Sequence, residues 1–251
     1  TNSGKAKIKT RMIPKIIHYI WFGGKPLPEK VTYCIESWKK WLPEYKFVLW
    51  NEESFDVNAY EFTRDAYAHR KFAFVSDFVR IFALTTQGGV YLDTDIEIIK
   101  PLDVFLKERM VLGTDDSGSL TAFMAAEAQH PFFTRALDIY KSRLFVLPDG
   151  SLNTEVNNLL LQNLLETYGY VKANKEQHLS EGIKVYPDDY FHVVSLTSGK
   201  PHRTKNSYAI HWHTLLWIPW TTRVIRFIRM HIIVPVFGEK TYTKWVARLK
   251  K

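Results

Sequence analysis

The chain has 251 residues, 46% hydrophobic and 15% aromatic, enough to bury the core of one α/β domain. Its single cysteine, Cys34, excludes an intrachain disulfide and, set in a helical pattern, reads as a packed thiol. The formal charge of +8 is concentrated at the ends: residues 221–251 hold eight Lys/Arg against Glu239, and residues 1–11 hold Lys5, Lys7, Lys9 and Arg11. The body between them is mildly acidic, which argues against a nucleic-acid-binding face on the fold.

Residues 1–11 are polar and basic with no apolar core behind them, so no signal peptide is expected there. "PKIIHYIWF" (14–22), ending at Gly23-Gly24, predicts a buried first strand. A helix is predicted over 28–42, with Pro28 at its start, and a second strand over 45–50. This strand–helix–strand opening implies a parallel sheet with a right-handed crossover. A short polar helix over 58–69 precedes the most apolar helix, 72–87, which stops at Gly88-Gly89. A strand over 90–99, closed by Pro101, comes next. Two further helices are expected at 131–145 and 153–168, and late short strands at 184–187 and 207–212. One catalytic-sized domain over 12–220 and a basic tail over 221–251 are the expected organisation.

The segment "FVSDFVRIFALTTQGGVYLDTDIEI" (74–98) raises the functional question. In the strand predicted over 90–99 side chains alternate, so Asp93 and Asp95 are expected to project from the same face, with Thr94 opposite. Two neighbouring carboxylates repel, and burying them unpaired costs several kcal/mol. A divalent cation resolves the conflict, because hard cations such as Mg²⁺ and Mn²⁺ take carboxylate oxygens together with substrate phosphates. The tripeptide alone is short, and two wet surface acids would explain it as well. Asp77 and Arg80, three residues apart on an otherwise apolar helix, shift the balance toward a site.

The motifs "IPKIIHYIWFGG" and "FVSDFVRIFALTTQGGVYLDTD" resemble the DXD-containing sugar transferases of glycosyltransferase family 32. That family includes bacterial capsule and lipopolysaccharide transferases, and its core is shared with the clostridial glucosylating toxins. The resemblance covers roughly residues 13–140. It implies a GT-A fold: a Rossmann-like, mostly parallel central sheet with flanking helices. It also implies a nucleotide-sugar donor, Mn²⁺ or Mg²⁺, and retention of anomeric configuration. By position, Trp21 would stack on the base, and Ser76, Asp77 and Arg80 would hold the donor. Tyr91 would line the site, Asp93 would meet ribose and sugar hydroxyls, and Asp95 would bind the metal. "YAIHWHTLLW" is similar to the late histidine segment of the family, which makes His211 and His213 candidate ligands. The serine that often follows there is replaced by Leu216-Trp217, leaving Trp217 a weak candidate. Thr121 and Asn153 are candidates for the sugar contact.

A retaining transferase needs no protein base, so none is assigned among Glu127, Asp115 and Asp116. The function expected is extension of a surface polysaccharide from a nucleotide sugar, with a UDP-sugar favoured and a saccharide or lipid-linked oligosaccharide as acceptor. A nucleotidyltransferase or metal phosphohydrolase would need further carboxylates for a second metal. A non-catalytic relative would need no nucleotide binding. In the tail, Arg223, Arg226 and Arg229 fall on one helical flank opposite Ile225, Ile228 and Ile232. That pattern is expected to set arginines on phosphates and isoleucines in the acyl boundary of an anionic membrane. The expected location is therefore peripheral, on the cytoplasmic face of the cell membrane.

Overall fold

The computed structural model describes residues 12–155, 157–196, 198–214, 220–238 and 241–242. Leu216 and Trp217 lie outside the described residues, as do 1–11 and 243–251.

The chain opens with strand β1 (Ile16–Ile20), helix α1 (Glu29–Trp41) and strand β2 (Lys46–Trp50). β1 and β2 pair in parallel, with Ile17 opposite Phe47. Helices α2 (Glu61–Ala68) and α3 (Phe72–Gln87) then lead into β3 (Gly89–Leu92), which pairs in parallel with the other edge of β1. The Gly88-Gly89 link permits this return. Gly88 has φ +65° and Gly89 φ +106°, and a Cβ on Gly88 would lie 2.5 Å from the backbone nitrogen of Ala128. No other residue fits a left-handed conformation at that approach.

After β4 (Ile96–Ile98) come β5 (Met110–Gly113), β6 (Phe123–Ala126), α4 (Pro131–Lys141) and α5 (Asn157–Glu166). β7 (Gln177–His178), β8 (Ile183–Tyr186), α6 (Asp188–Phe191) and β9 (Ala209–His211) complete the body. The tail contains α7 (Trp220–Ile228), a π turn (Arg229–Ile233) and α8 (Val234–Phe237).

The main sheet has the order β2-β1-β3-β6-β5-β8-β7. Five of its strands run one way, and β6 and β7 oppose them. This mostly parallel sheet between two helical layers is the expected GT-A type. Strand alternation feeds two cores. Ile20, Tyr91, Met110, Leu112 and Met124 face α3, α4 and α5, while Ile17, Val90, Leu92, Val111 and Phe123 face α1 and α6. Cys34 is fully buried, and burial pushes its thiol up to about 12, so it packs as an inert hydrophobe.

Two expectations require correction. The predicted strand 90–99 is broken: β3 ends at Leu92 and β4 begins at Ile96, with the Ile96 N–H donating to the Asp93 carbonyl at 3.0 Å. The D-x-D tripeptide is therefore a turn, and strand alternation does not orient its acids. Buried strands β5 and β6 lie where no strand was predicted. Each is four residues long and buried on both faces, so neither shows the alternation that marks a half-exposed strand.

Candidate active site

β1 and β3 are parallel neighbours, so Trp21 and Asp93, just beyond their last residues, lie at the same carboxyl edge of the sheet. That edge is where open α/β sheets bind ligands. Beneath it, β1 is fixed by His18. The His18 Nε2 donates to the Gly88 carbonyl at 2.7 Å, and Nδ1 accepts from Trp50 Nε1 at 3.1 Å. Burial lowers His18 to about 4, which keeps the ring neutral and this tautomer in place.

The two acids of the turn have different partners. The Asp93 Oδ1 accepts from the Tyr91 hydroxyl at 2.7 Å and lies 3.5 Å from Arg80 Nη1. Arg80, buried on α3, also meets Asp77 Oδ1 at 3.1 Å and donates to the Thr121 carbonyl at 3.0 Å. Its guanidinium lies 4.8 Å from the centre of the Tyr91 ring. Burial holds the Tyr91 hydroxyl far above its ordinary range, so it donates to Asp93. Burial also raises Asp77, to about 6, against the opposing pull of Arg80. One cation thus serves two carboxylates in a nearly dry pocket, where an ion pair is strong only while every partner is present.

Asp95 is held from the other side. Its Oδ1 is 3.2 Å from His211 Nε2, and its Oδ2 accepts from both the N–H and the hydroxyl of Thr214, at 2.7 and 2.8 Å. Burial alone would raise this carboxyl, but His211 and Thr214 hold it well below the usual carboxylate range. A two-stranded sheet delivers His211: β4 pairs antiparallel with β9, placing His211 opposite Ile96. α1 braces this sheet, with Trp38 Nε1 donating to the Ile96 carbonyl at 2.6 Å.

Asp93, Asp95 and His211 each offer a ligand atom, and these atoms lie within 4.8 Å of one another. Two carboxylates and one imidazole fit a hard or borderline divalent cation. The surroundings of His211 fit as well. Its Nδ1 is 3.1 Å from His192 Nδ1, and burial holds His192 far below its ordinary range, so this ring is neutral and one of the two Nδ1 atoms donates to the other. If His211 donates through Nδ1 to His192, Nε2 is the atom left for a cation, which would take the place of the proton that Nε2 directs at Asp95 Oδ1 in this structure. These residues could hold Mn²⁺ or Mg²⁺.

His213 is separated from this group. It lies past the end of β9 with φ +50°, so the alternation expected to align it with His211 stops. Its Nε2 donates to the Val194 carbonyl at 3.0 Å, and burial lowers its pKa to about 3. Its ring lies against that of His211, tilted by 40°, with centroids 3.8 Å apart. Ser76 is turned to its own helix, with Oγ donating to the Phe72 carbonyl at 3.0 Å. Trp21 is half-buried, and its Nε1 donates to the Lys25 carbonyl at 2.7 Å. Thr121 enters through its carbonyl, as the acceptor for Arg80. The Asn153 Oδ1 accepts from Arg143 at 3.1 Å. Glu127, Asp115 and Asp116 are engaged elsewhere: Glu127 pairs with Arg109, Asp115 closes the Ser117–Ser119 turn, and Asp116 accepts from Ser195.

Thr214 and His192 are the residues that sequence reasoning did not supply. Thr214 follows a histidine already in view, so its closeness to His211 was the available signal. His192 had none, because α6 and β9 bring it to His211 only in three dimensions.

Residues 28–112 match the family described as "Glycosyltransferase sugar-binding region containing DXD motif". The chain is 32% identical over 176 residues to mannosyl phosphorylinositol ceramide synthase SUR1 of Saccharomyces cerevisiae, covering 64% of this chain and 44% of that protein. It is 31% identical over 138 residues to inositol phosphoceramide mannosyltransferase 1 of Schizosaccharomyces pombe, covering 50% and 42%. It is 26% identical over 223 residues to the uncharacterized glycosyltransferase L373 of Acanthamoeba polyphaga mimivirus, covering 83% and 85%. The chain therefore spans less than half the length of the first two. The matched region contains Asp77, Arg80, Tyr91, Asp93 and Asp95, and over it the chain is similar to glycosyltransferases that carry a DXD-containing sugar-binding region.

Proposed function

We propose that this chain moves a hexosyl group from a nucleotide sugar, with a UDP-sugar favoured, to a saccharide or lipid-linked oligosaccharide acceptor, retaining anomeric configuration. The observation that carries this reading is the convergence of Asp93, Asp95 and His211 within 4.8 Å beside the Asp77–Arg80 pair. A divalent cation, Mn²⁺ or Mg²⁺, supplies Lewis-acid stabilisation of the departing diphosphate when bound. Asp95 and His211 hold it, with Thr214 and His192 fixing their orientations. Asp93, set by Tyr91, offers its remaining oxygen to ribose and sugar hydroxyls. Arg80 and Asp77 anchor the sugar side, and the indole of Trp21 provides a stacking face for the base. The acids that follow the turn and were weighed as a base, Glu127, Asp115 and Asp116, are already engaged, which suits a mechanism in which the leaving phosphate receives the acceptor proton.

Two relatives carry names that specify mannosyl transfer to inositol phosphoceramide. Those names support a hexose donor and a lipid-bearing acceptor for this chain, in surface polysaccharide or glycolipid synthesis. A nucleotidyltransferase would want a second carboxylate cluster. Among the described residues the group of suitable ligands is the single set Asp93, Asp95 and His211, which favours the sugar transferase.

The test is a panel of UDP- and GDP-hexoses incubated with the chain and Mn²⁺, read by mass spectrometry for free sugar and nucleoside diphosphate. Hydrolysis of at least one donor, abolished by Asp95→Asn, is expected. No turnover of any donor would contradict the reading.

A further inference from the structure

The tail is amphipathic, with Arg226 and Arg229 turned inward. Arg226 Nη1 donates to the carbonyl of His213, and Arg229 Nη2 donates to the Leu196 carbonyl at 2.8 Å. These two cations, assigned to lipid phosphates on sequence alone, clamp the segment to the domain instead. Met230 lies beside them over Gly199, where a Cβ would come within 2.0 Å of the Met230 Cε. With Ile233 and Val234, these residues make the inward stripe.

The opposite side is apolar and open. Val224, Ile225, Phe227, Ile228, Ile232 and Val236 are between 40% and 67% exposed within thirteen consecutive residues. Residues 220–238 contain no Asp or Glu, and 221–251 as a whole hold eight Lys/Arg against Glu239. A contiguous apolar face of this kind marks a binding surface. Its charge complement is anionic. Among the described residues no helix is long and apolar enough to cross a membrane. A helix of this pattern lies in an interface plane.

We propose that α7–α8 docks on an anionic phospholipid bilayer, with this apolar face in the acyl boundary, drawn there by the net positive charge that the sequence carries over 221–251. The arginine clamp makes the docking rigid, since Arg226 holds the carbonyl of a residue two positions from His211. A bilayer under α7 therefore lies next to the segment that carries His211 and Thr214. A lipid-bearing acceptor would be presented there; the docking itself does not depend on the donor chemistry.

The test is flotation of the full chain with vesicles of phosphatidylcholine mixed with phosphatidylglycerol, against pure phosphatidylcholine. Wild type is expected to float with the anionic vesicles and to bind the neutral ones more weakly. The exposed-face variant Ile225→Ser/Phe227→Ser/Ile232→Ser should lose binding by about tenfold or more, with an unchanged thermal unfolding midpoint. Wild type failing to float, or the triple variant floating as wild type does, would overturn the proposal. So would a wild-type dimer in sedimentation velocity that the triple variant dissociates while vesicle binding persists, since the face would then cover a second copy.

Discussion

Asp95 Oδ1 lies 3.2 Å from His211 Nε2 although the two residues are 116 positions apart in sequence. The contact exists because β9 pairs with β4 directly after the D-x-D turn. The late histidine and the acidic turn therefore form one unit, fixed by a sheet of two short strands on α1. His211→Ala is expected to weaken Mn²⁺ binding, measured by calorimetry in the presence of UDP, while the unfolding midpoint falls little.

The ring behind it has a separable effect. His192 Nδ1 lies 3.1 Å from His211 Nδ1, the position of an outer-shell partner. Outer-shell partners of this kind are worth roughly 10–100-fold in metal affinity. His192→Phe should reduce Mn²⁺ affinity within that range and leave nucleotide specificity unchanged. Equal Mn²⁺ affinity in wild type and His192→Phe would remove His192 from the metal assignment.

Tyr91 and Arg80 divide structural from functional cost. Tyr91→Phe deletes only the hydroxyl that orients Asp93, so a loss of turnover of about tenfold is expected, with a stability change near 1 kcal/mol. Arg80→Ala leaves Asp77 and Asp93 without their cation, a loss of about 3–5 kcal/mol for a buried pair. Urea unfolding of both variants, beside their activities, checks the division.

Asp77 gives a pH signature. Its folded carboxyl titrates at about 6, above the unfolded value of 3.8, because burial outweighs the pull of Arg80. The folded state therefore binds this proton more tightly. Its contribution to stability is present at low pH and is lost as pH rises from about 4 through 6, amounting to roughly 2–3 kcal/mol. Asp77→Asn removes that loss. The stability gap between variant and wild type should move in the variant's favour between pH 5 and pH 7, while donor binding weakens. A gap independent of pH would show that Asp77 is not held in this way.

Much of this arrangement was legible in the sequence because its signals are local. α3 spans the predicted 72–87, stopped by a glycine whose neighbouring backbone admits no side chain. Asp77 and Arg80 met because helical spacing forces it. What was not legible depends on distant chain. β5 and β6 are buried on both faces and carry no periodicity. The D-x-D turn was mistaken for strand because Val90 to Leu92 and Ile96 to Ile98 are apolar on both sides of it. His213 was grouped with His211 by alternation, which its left-handed backbone ends. The tail was read as two flanks, and that Arg226 and Arg229 face the domain depended on the carbonyls of His213 and Leu196.

The central claim, that Asp95 and its neighbours hold a divalent cation on which nucleotide binding depends, is tested most directly by titrating UDP into the chain with Mn²⁺ and again with EDTA. Saturable binding with Mn²⁺ is predicted, weakened by about 100-fold or more by EDTA or by Asp95→Asn, since a cation held by Asp95 and His211 would supply charge that favours the diphosphate. Equal UDP affinity with and without metal, or an unimpaired Asp95→Asn variant, would contradict it.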